Sequence, residues 1–477
     1  MICACGENIM KKLYFAAVAG NLGMMSVGMF LGWASPSLPL LLNGDNDGYP
    51  VRLNMEEASW VVSLFILASC VGCVISALMV NIIGRKYTML FTAVPSVISW
   101  LMIVFATTLW EIHVSRFISG IAVGIVFTAT PMYSGEISPA DVRGIVGSML
   151  SVAVNLGISI EFMIGPFLSV RNLALVSLAG PCLFVITFIW LPESPYYFIR
   201  RDDKQKAINS LVQLRGKKDV YKEADSIEQS VKADLANKAS FRELLFIPGN
   251  RRALATVLSV GLIQQLSGNQ AVLQYAQIIF DQANGNVESK YLTMILGAVQ
   301  LICTVVCMMI TDRSGRKLLL MVSAIGSACS TAMVAAYFHL QYNHADISNI
   351  TWLPATGVIL YVIMYGLGLA VLPLTMASEL FSTNVKALGT MSCIMVFNIV
   401  AFGVAKLYPV ISESAGVQTP FWIFTACSLV GAVFTYFYVL ETKGKTLEQI
   451  QEELHGSSKQ KVKNEIHPSV DFGSTHI

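Results

Sequence analysis

The sequence is poor in charged residues. Asp, Glu, Lys and Arg make up only 13% of its 477 residues, whereas an ordinary soluble domain has about 25%. So few charges cannot cover the whole molecule with a water-facing surface, which argues against a soluble enzyme and against a disordered protein. The formal net charge is only +2, so the sequence also lacks the basic excess that binding to nucleic acid requires.

The sequence also lacks the signals for catalysis, metal binding and disulfide bonding. It contains no nucleophile–base pair, metal-ligand spacing or phosphate-binding loop, so we expect no enzyme activity, no cofactor and no metal. Most of the ten cysteines lie in apolar runs. Cys70 and Cys73 have the spacing of a metal or redox pair, but they have no second pair and no nearby histidine, which favours plain packing.

The sequence does contain long apolar stretches. Hydrophobic residues make up 55% of it, and its mean hydropathy is +0.62. Long uncharged stretches predict twelve membrane spans, near residues 13–42, 58–82, 88–110, 114–135, 144–168, 172–191, 253–280, 291–311, 318–340, 352–378, 387–410 and 420–440. The first run is too long for a secretory signal, so we expect an uncleaved span. Since lipid satisfies no backbone polar group, every span must be helical, and the predicted fold is an all-α membrane protein.

Basic residues set the predicted orientation. With both termini in the cytoplasm, only five of the 32 Lys and Arg residues fall on the outside or in the outer halves of spans, as the positive-inside rule requires. These five are Arg52, Arg116, Arg171, Lys290 and Lys406. The predicted parts are an N-terminal six-helix bundle (1–191), a cytoplasmic linker with short amphipathic helices (192–252), a C-terminal six-helix bundle (253–440) and a cytoplasmic tail (441–477).

The two halves of the sequence repeat a pattern of charges at the ends of spans. Glu136 closes the fourth span and Glu379 closes the tenth, and each is followed seven residues later by a basic residue. Such charges, gathered on one face of the membrane, could pair across the two bundles when that face is shut. A network of partly buried pairs could bias two conformations by a few kcal/mol, the scale that a gate requires. The predicted cytoplasmic gate consists of Arg85, Glu136, Arg143, Glu193, Arg313, Arg316, Glu379, Lys386 and Glu441.

Several motifs, taken together and in order, resemble those of the sugar porter family of the major facilitator superfamily. They are Arg116 to Gly120, Pro131 to Pro139, Pro192 to Pro195, Gln264 to Gly268, Asp312 to Lys317, Glu379 to Phe381 and Glu441 to Gly444. Within that family, Gly32 to Pro36 and Asn155 to Ile158 are similar to the facilitated trehalose transporters of insects and their hexose-carrying relatives. The resemblance implies two pseudo-symmetric six-helix bundles in the plasma membrane, a small neutral sugar as substrate and no obligatory protein partner.

Neutral amides in the seventh and eighth spans are the candidate sugar ligands. A sugar presents hydroxyls that both donate and accept, and amides match them without the desolvation cost of a charge. The resemblance implies substrate contacts at Gln264, Gln265, Gln270, Gln300, Tyr275 and Asn398. The alternative for the glutamines is hydrogen bonding between helices. The sequence departs from the family at Leu374 and Ile399, where a Trp is usual.

The driving force for transport is predicted from an acidic residue that is absent from the first span. Proton-coupled members of the family carry an acid in the first span near an outer Arg of the fourth, but Ala34 stands at that place here and Arg116 is left without that partner. Glu161, in the fifth span, is the only acid within the predicted spans of the first half. We therefore expect facilitative sugar transport. A proton-coupled symporter and a non-transporting sugar sensor are the alternatives.

Overall fold

A computed structural model of the chain describes residues 2–44, 48–139, 142–216, 220–236, 241–283, 285, 287–311, 315–382, 384–443, 445, 449–450 and 453–454. Within these residues the secondary structure is helical. The first half contains α1 (Ile2–Gly32), α2 (Ala34–Asn43), α3 (Met55–Ile82), α4 (Arg85–Phe91), α5 (Ala93–Phe105), α6 (Leu109–Ile137), α7 (Arg143–Ile164), α8 (Val170–Ser177) and α9 (Ala179–Phe188). The linker contains α10 (Pro195–Arg200), α11 (Lys204–Arg215), α12 (Tyr221–Ala236) and α13 (Phe241–Phe246). The second half contains α14 (Pro248–Leu266), α15 (Asn269–Gln282), α16 (Ser289–Thr311), α17 (Arg316–Tyr342), α18 (Leu353–Leu367), α19 (Leu372–Leu380), α20 (Lys386–Ala415) and α21 (Gln418–Tyr438).

Eleven stretches of the described residues are helical, long and apolar enough to cross a membrane, from Tyr14–Asn43 to Gln418–Tyr438. The prediction of an all-α membrane protein is therefore confirmed. The predicted seventh span, 253–280, is covered by two helices, α14 and α15, where one was expected. Two residues, 267 and 268, separate these helices.

The helices of the first half approach one another closely through glycines. A Cβ on Gly72 of α3 would lie 2.2 Å from the carbonyl oxygen of Ile121 in α6, and a Cβ on Gly157 of α7 would lie 2.1 Å from that of Met25 in α1. Helices that cross at such short range need small residues at the crossing. The glycines thus hold two pairs of helices, α3 with α6 and α1 with α7, backbone against backbone.

The linker forms the short helices that the amphipathic pattern predicts. Along α11, Ala207, Leu211 and Leu214 are buried, whereas Asn209 and Gln213 are exposed. The second predicted piece corresponds to α13, which buries Leu244 and leaves Phe241 exposed. We call the face of the molecule that carries the linker the linker face and the opposite one the far face. Most of the predicted tail, 441–477, lies outside the described residues.

Candidate functional site between the two halves

The break between α14 and α15 lies beside a second break, between α18 and α19. Gln264 Nε2 donates a hydrogen bond to the carbonyl oxygen of Ala370 at 3.2 Å, and Ser267 Oγ lies 3.1 Å from the Tyr361 hydroxyl oxygen. Ala370 belongs to the turn at residues 368–371 that separates α18 from α19. Two interrupted helices thus meet in the interior, where amides and backbone groups become available for purposes other than helix formation.

Gly268 makes the first of these breaks possible. Its φ is +96°, a conformation that costs glycine little and other residues much more. A Cβ at this position would also lie 2.4 Å from the ring of Phe424 on α21. Both the backbone conformation and the available space therefore require glycine here.

Gly268→Ala is expected to destabilise the protein. Left-handed backbone costs a residue with a Cβ about 1–2 kcal/mol, and the contact with Phe424 adds to that cost. The thermal transition of the purified protein should fall by several degrees. Gly403→Ala on α20 is the matched control, since a Cβ there would meet nothing within 4 Å. Equal transitions in the two variants would contradict the requirement for glycine.

Amide oxygens without hydrogen-bond donors are concentrated on α14, α15 and α16. Side-chain oxygens Oε1 of six glutamines are buried and unpaired in the described structure: Gln265, Gln270, Gln274, Gln277, Gln282 and Gln300. A buried acceptor left without a donor costs free energy, so such groups call for an explanation. The adjacent pair in α14 is turned inward, because Gln264 is only 9% exposed and Gln265 is half-buried. A ligand rich in hydroxyl groups would supply the missing donors.

Two hydrogen bonds in the middle of the molecule join the halves. Gln300 Nε2 donates to Asn155 Oδ1 at 2.8 Å, and Ser159 Oγ donates to the carbonyl oxygen of Gly297 at 2.7 Å. Gln300 is thus placed at the seam between the halves. Asn155 was not predicted as a contact, although an Asn within an apolar span is itself a signal of a polar interior.

The seam is closed at the far face. Ser35 Oγ of α2 accepts a hydrogen bond from the backbone N–H of Gln277 in α15. Lys406 Nζ of α20 donates to Ser59 Oγ of α3 at 2.6 Å and lies 4.1 Å from the centre of the Trp60 ring. These contacts join α2 to α15 and α3 to α20 on the far-face side of the molecule, so they bind the two halves together there.

Tyr275 and Asn398, the other predicted substrate ligands, occupy different surroundings. Tyr275 is fully buried, its hydroxyl donates to the carbonyl oxygen of Ala405 at 3.1 Å, and its ring lies 5.2 Å from that of Tyr408. In this conformation Tyr275 is therefore part of the closed layer below the far face. Asn398 is half-buried on α20 and lies near the thiol of Cys70 on α3, across the seam.

Three of the predicted gate residues of the first half, Arg85, Glu136 and Glu193, form one compact cluster. Arg85 is fully buried and donates to Glu136 Oε1 from Nε at 3.1 Å and from Nη2 at 2.8 Å. The other Glu136 oxygen accepts from the Ser194 hydroxyl. Glu193 accepts from the backbone N–H groups of Arg85 and Lys86, both at 3.0 Å. The carboxylate of Glu193 thus caps the beginning of α4, where unpaired N–H groups favour a negative charge.

The second half repeats this cluster. Arg316 Nη2 donates to Glu379 Oε1 at 3.2 Å, and Thr442 Oγ1 donates to the other Glu379 oxygen. Glu441 accepts from the backbone N–H groups of Arg316 and Lys317 at 3.0 and 3.2 Å, and so caps the beginning of α17. The side chains are more exposed than in the first half, 18% for Arg316 against 0% for Arg85.

Each cluster lies within its own half, so the described ion pairs hold the helix ends of one bundle together and do not cross the seam. The pKa of Glu193 is raised by burial, although the N–H groups that it accepts from oppose that shift.

Of the remaining predicted gate residues, Lys386 is exposed at the first residue of α20. Arg313 and the side chain of Arg143, which were also predicted to belong to the gate, lie outside the described residues.

Arg116 has an acidic neighbour after all. It is fully buried and donates to the carbonyl oxygens of Val61 and Phe30, each at 3.1 Å. Glu161 of α7, also fully buried, is close enough to interact with it electrostatically and accepts a hydrogen bond from the Ser177 hydroxyl. The first span carries no acid beside Arg116, and helix packing brings Glu161 of the fifth span near it instead.

Comparison with known proteins identifies the family. The profile of the family described as "Sugar (and other) transporter" matches residues 22–454. The chain belongs to this sugar transporter family. Two relatives in the family, the facilitated trehalose transporters of Bombyx mori and Polypedilum vanderplanki, are each 33% identical to it. The first alignment covers 93% of this chain and 87% of the relative, and the second covers 92% and 88%.

The fold of this sugar transporter family member agrees with a solved structure. The xylose transporter of E. coli in an inward open conformation has a TM-score of 0.75 and 20% identity, over 92% of this chain and 99% of the other. That protein is a member of the major facilitator superfamily. The predicted family and the predicted fold, a multi-pass membrane protein of the major facilitator type, are both confirmed.

Proposed function

We propose that the protein carries a neutral sugar, a hexose or trehalose, across the plasma membrane by alternating access, as a facilitative carrier without enzymatic activity. The observation that carries this proposal is the group of buried amide oxygens without donors on α14, α15 and α16. Amides offer both donors and acceptors without charge, which suits a substrate that carries hydroxyls on every side. The relatives named as facilitated trehalose transporters support the same class of substrate.

The proposed ligands of the sugar are Gln264, Gln265, Gln270, Gln300, Tyr275 and Asn398. Gln300 and Asn398 contact the first half directly, through Asn155 and Cys70. A substrate held there would touch both bundles and could therefore favour the conformation in which both reach it. Such differential affinity is the only way in which a ligand shifts a conformational equilibrium.

In the proposed orientation the linker face and both termini are cytoplasmic. The described conformation, joined at the far face, is then closed toward the outside. The charge clusters around Arg85 and Arg316 stand at the cytoplasmic ends of the two bundles. We propose that they come within reach of each other when the cytoplasmic side shuts, and that they act as its gate.

Flux of labelled sugars into vesicles that contain the purified protein tests the proposal. Labelled trehalose and glucose should enter down their gradients until the two sides are equal, and a proton uncoupler should leave the rate unchanged. Empty vesicles provide the control. Failure of both sugars to enter above that control would contradict the proposal.

Proton-coupled symport is the second candidate, and Glu161 is the observation that favours it. Its Oε2 atom is buried without a hydrogen bond, and Nη2 of Arg116 is buried in the same way. A carboxylate in such a place could carry a proton between the two sides. Facilitative transport stays the first choice because Arg116 is held by two backbone carbonyls and lies 4.3 Å above the Phe65 ring, so its position does not depend on an ionised acid.

Glu161→Gln distinguishes the two candidates. The amide keeps the shape of the side chain and the contact with Ser177 but cannot carry a proton. For a facilitative carrier, sugar uptake down its gradient should be unchanged, and a pH gradient alone should drive no accumulation in either form. Accumulation driven by pH in the wild type, and lost in Glu161→Gln, would establish symport.

A further inference from the structure

Lys406 on α20 is a basic residue on the side of the molecule where basic residues are scarce. It is one of the five that the positive-inside rule leaves on the outside or in the outer halves of spans. Three others, Arg116, Arg171 and Lys290, have hydrogen-bond or ion-pair partners in their own half. The hydrogen bond of Lys406, by contrast, reaches α3 in the other half.

The ammonium group of Lys406 lies between a hydroxyl and an aromatic ring of α3. Its Nζ donates to Ser59 Oγ at 2.6 Å and is 4.1 Å from the centre of the Trp60 ring. Glu56, in the first turn of α3, adds an electrostatic attraction. Ser59 is fully buried and Lys406 is half-buried, so the contact is partly shielded from water. The attraction between a cation and a tryptophan face is stronger when water is excluded.

This contact depends on a closed far face. Ser59 and Trp60 belong to the first half and Lys406 belongs to the second, so opening the seam on this side separates the ammonium group from both partners. The charge clusters around Arg85 and Arg316 differ, because each pairs within its own half and keeps its partners when the halves tilt. The contact of Lys406 therefore stabilises one of the two conformations and not the other.

We propose that Lys406 is a positioning residue of the transport cycle, whose contact with Ser59 and Trp60 sets the fraction of empty carriers that are closed at the far face. We call this contact the far-face latch. The proposal rests on the alternating access proposed above. An interaction that is present in only one of two states shifts their populations toward that state. Loss of the latch should therefore favour the conformation that is open at the far face, while the proposed sugar ligands stay in place.

Two introduced cysteines report which face is open. Ser35→Cys tests the far face, since Ser35 is fully buried at the seam and accepts from the backbone N–H of Gln277. Ser151→Cys tests the other side, since Ser151 is half-buried on α7, one turn from Asn155 toward the linker face. Each full-length variant is placed in lipid discs, which leave both faces accessible, and is alkylated with a charged maleimide. Protein without the introduced cysteine gives the background rate.

Lys406→Met is expected to change the two rates in opposite directions. It removes the charge and keeps most of the length of the side chain. Alkylation at position 35 should become about tenfold faster, the scale of a partly desolvated cation–π contact. Alkylation at position 151 should become slower, because the linker face closes as the far face opens. An unchanged rate at position 35, or faster alkylation at both positions, would overturn the proposal, since the latter indicates a general loss of packing.

Two further variants test the contact itself. Lys406→Arg keeps the positive charge over the ring and should stay close to the wild type in both rates. Trp60→Leu removes the ring and should act in the same direction as Lys406→Met. Because the two residues act through one contact, combining Trp60→Leu with Lys406→Met should add little to the larger single effect. Fully additive effects would overturn the assigned contact.

Lys290→Met is the matched control. Lys290 is also a far-face lysine, but it pairs with Glu288 and lies 5.3 Å from the centre of the Tyr291 ring, both in its own half. Its replacement should leave both rates unchanged, and effects equal to those of Lys406→Met would overturn the proposal. All rates are measured without sugar. Opposite shifts without sugar uptake would therefore contradict only the proposed substrate, and uptake without these shifts would contradict only the far-face latch.

Discussion

Replacing Arg85 with Met is expected to reduce the thermal stability of the purified protein strongly. The guanidinium is fully buried and makes two hydrogen bonds to Glu136. Its removal leaves that carboxylate with the Ser194 hydroxyl as a partner but without a positive charge. Breaking a buried ion pair from one side costs about 3–5 kcal/mol. The midpoint of thermal inactivation in detergent measures the effect.

Two comparisons show whether the lost charge is the cause. Arg316→Met, at the corresponding place in the second half, should be milder, because Arg316 is 18% exposed and Glu379 is 22% exposed. Adding Glu136→Gln to Arg85→Met should restore part of the lost stability, because the unpaired charge is then removed as well. If the double variant is less stable than Arg85→Met, packing accounts for the loss and the ion pair does not.

Gln264→Ala is expected to raise the half-saturation concentration for sugar uptake by about tenfold. Loss of the Gln264 side chain would leave a sugar hydroxyl unpaired in a buried site, at a cost of about 1–3 kcal/mol. In the wild type, the Gln264 amide also donates a hydrogen bond to the carbonyl oxygen of Ala370, at the break between α18 and α19. Initial rates of labelled trehalose and glucose uptake over a range of concentrations give the measurement.

Gln418→Ala is the control for this prediction. Gln418 is a buried glutamine of the same half, 7% exposed against 9% for Gln264, and its amide donates to the carbonyl oxygen of Ala415 at the far-face end of the bundle. Its replacement should leave the half-saturation concentration unchanged. If Gln264→Ala behaves like this control, Gln264 is a packing residue and not a ligand.

The charge clusters show how far reasoning along the chain could go. Arg85 and Glu136 were recognised together with Arg316 and Glu379 because each pair ends corresponding spans, and span ends are visible in the pattern of hydropathy. Which of these charged side chains pair with each other was not visible in the sequence. Side chains 51 and 63 residues apart pair within each bundle, whereas pairing between the bundles stays a prediction for the closed cytoplasmic side.

The central glutamines show the same division. The adjacent pair at Gln264 and Gln265 was conspicuous because amides are rare in apolar spans. The partner of Gln300, however, is Asn155, 145 residues away, and no local pattern relates the two. Arg116 and Glu161 likewise become neighbours only when α6 and α7 pack together.

By itself, the sequence determined the membrane class, the helical spans, the repeat of two halves and the charges at their ends. These properties are local, because transfer of a segment into lipid depends on that segment's own length and hydropathy. Only the tertiary structure decided that the seventh span is broken at Gly268, that the charge clusters pair within each half and that hydrogen bonds join the two halves near the far face. Such features depend on contacts between distant segments, and those contacts exist only once the helices have packed.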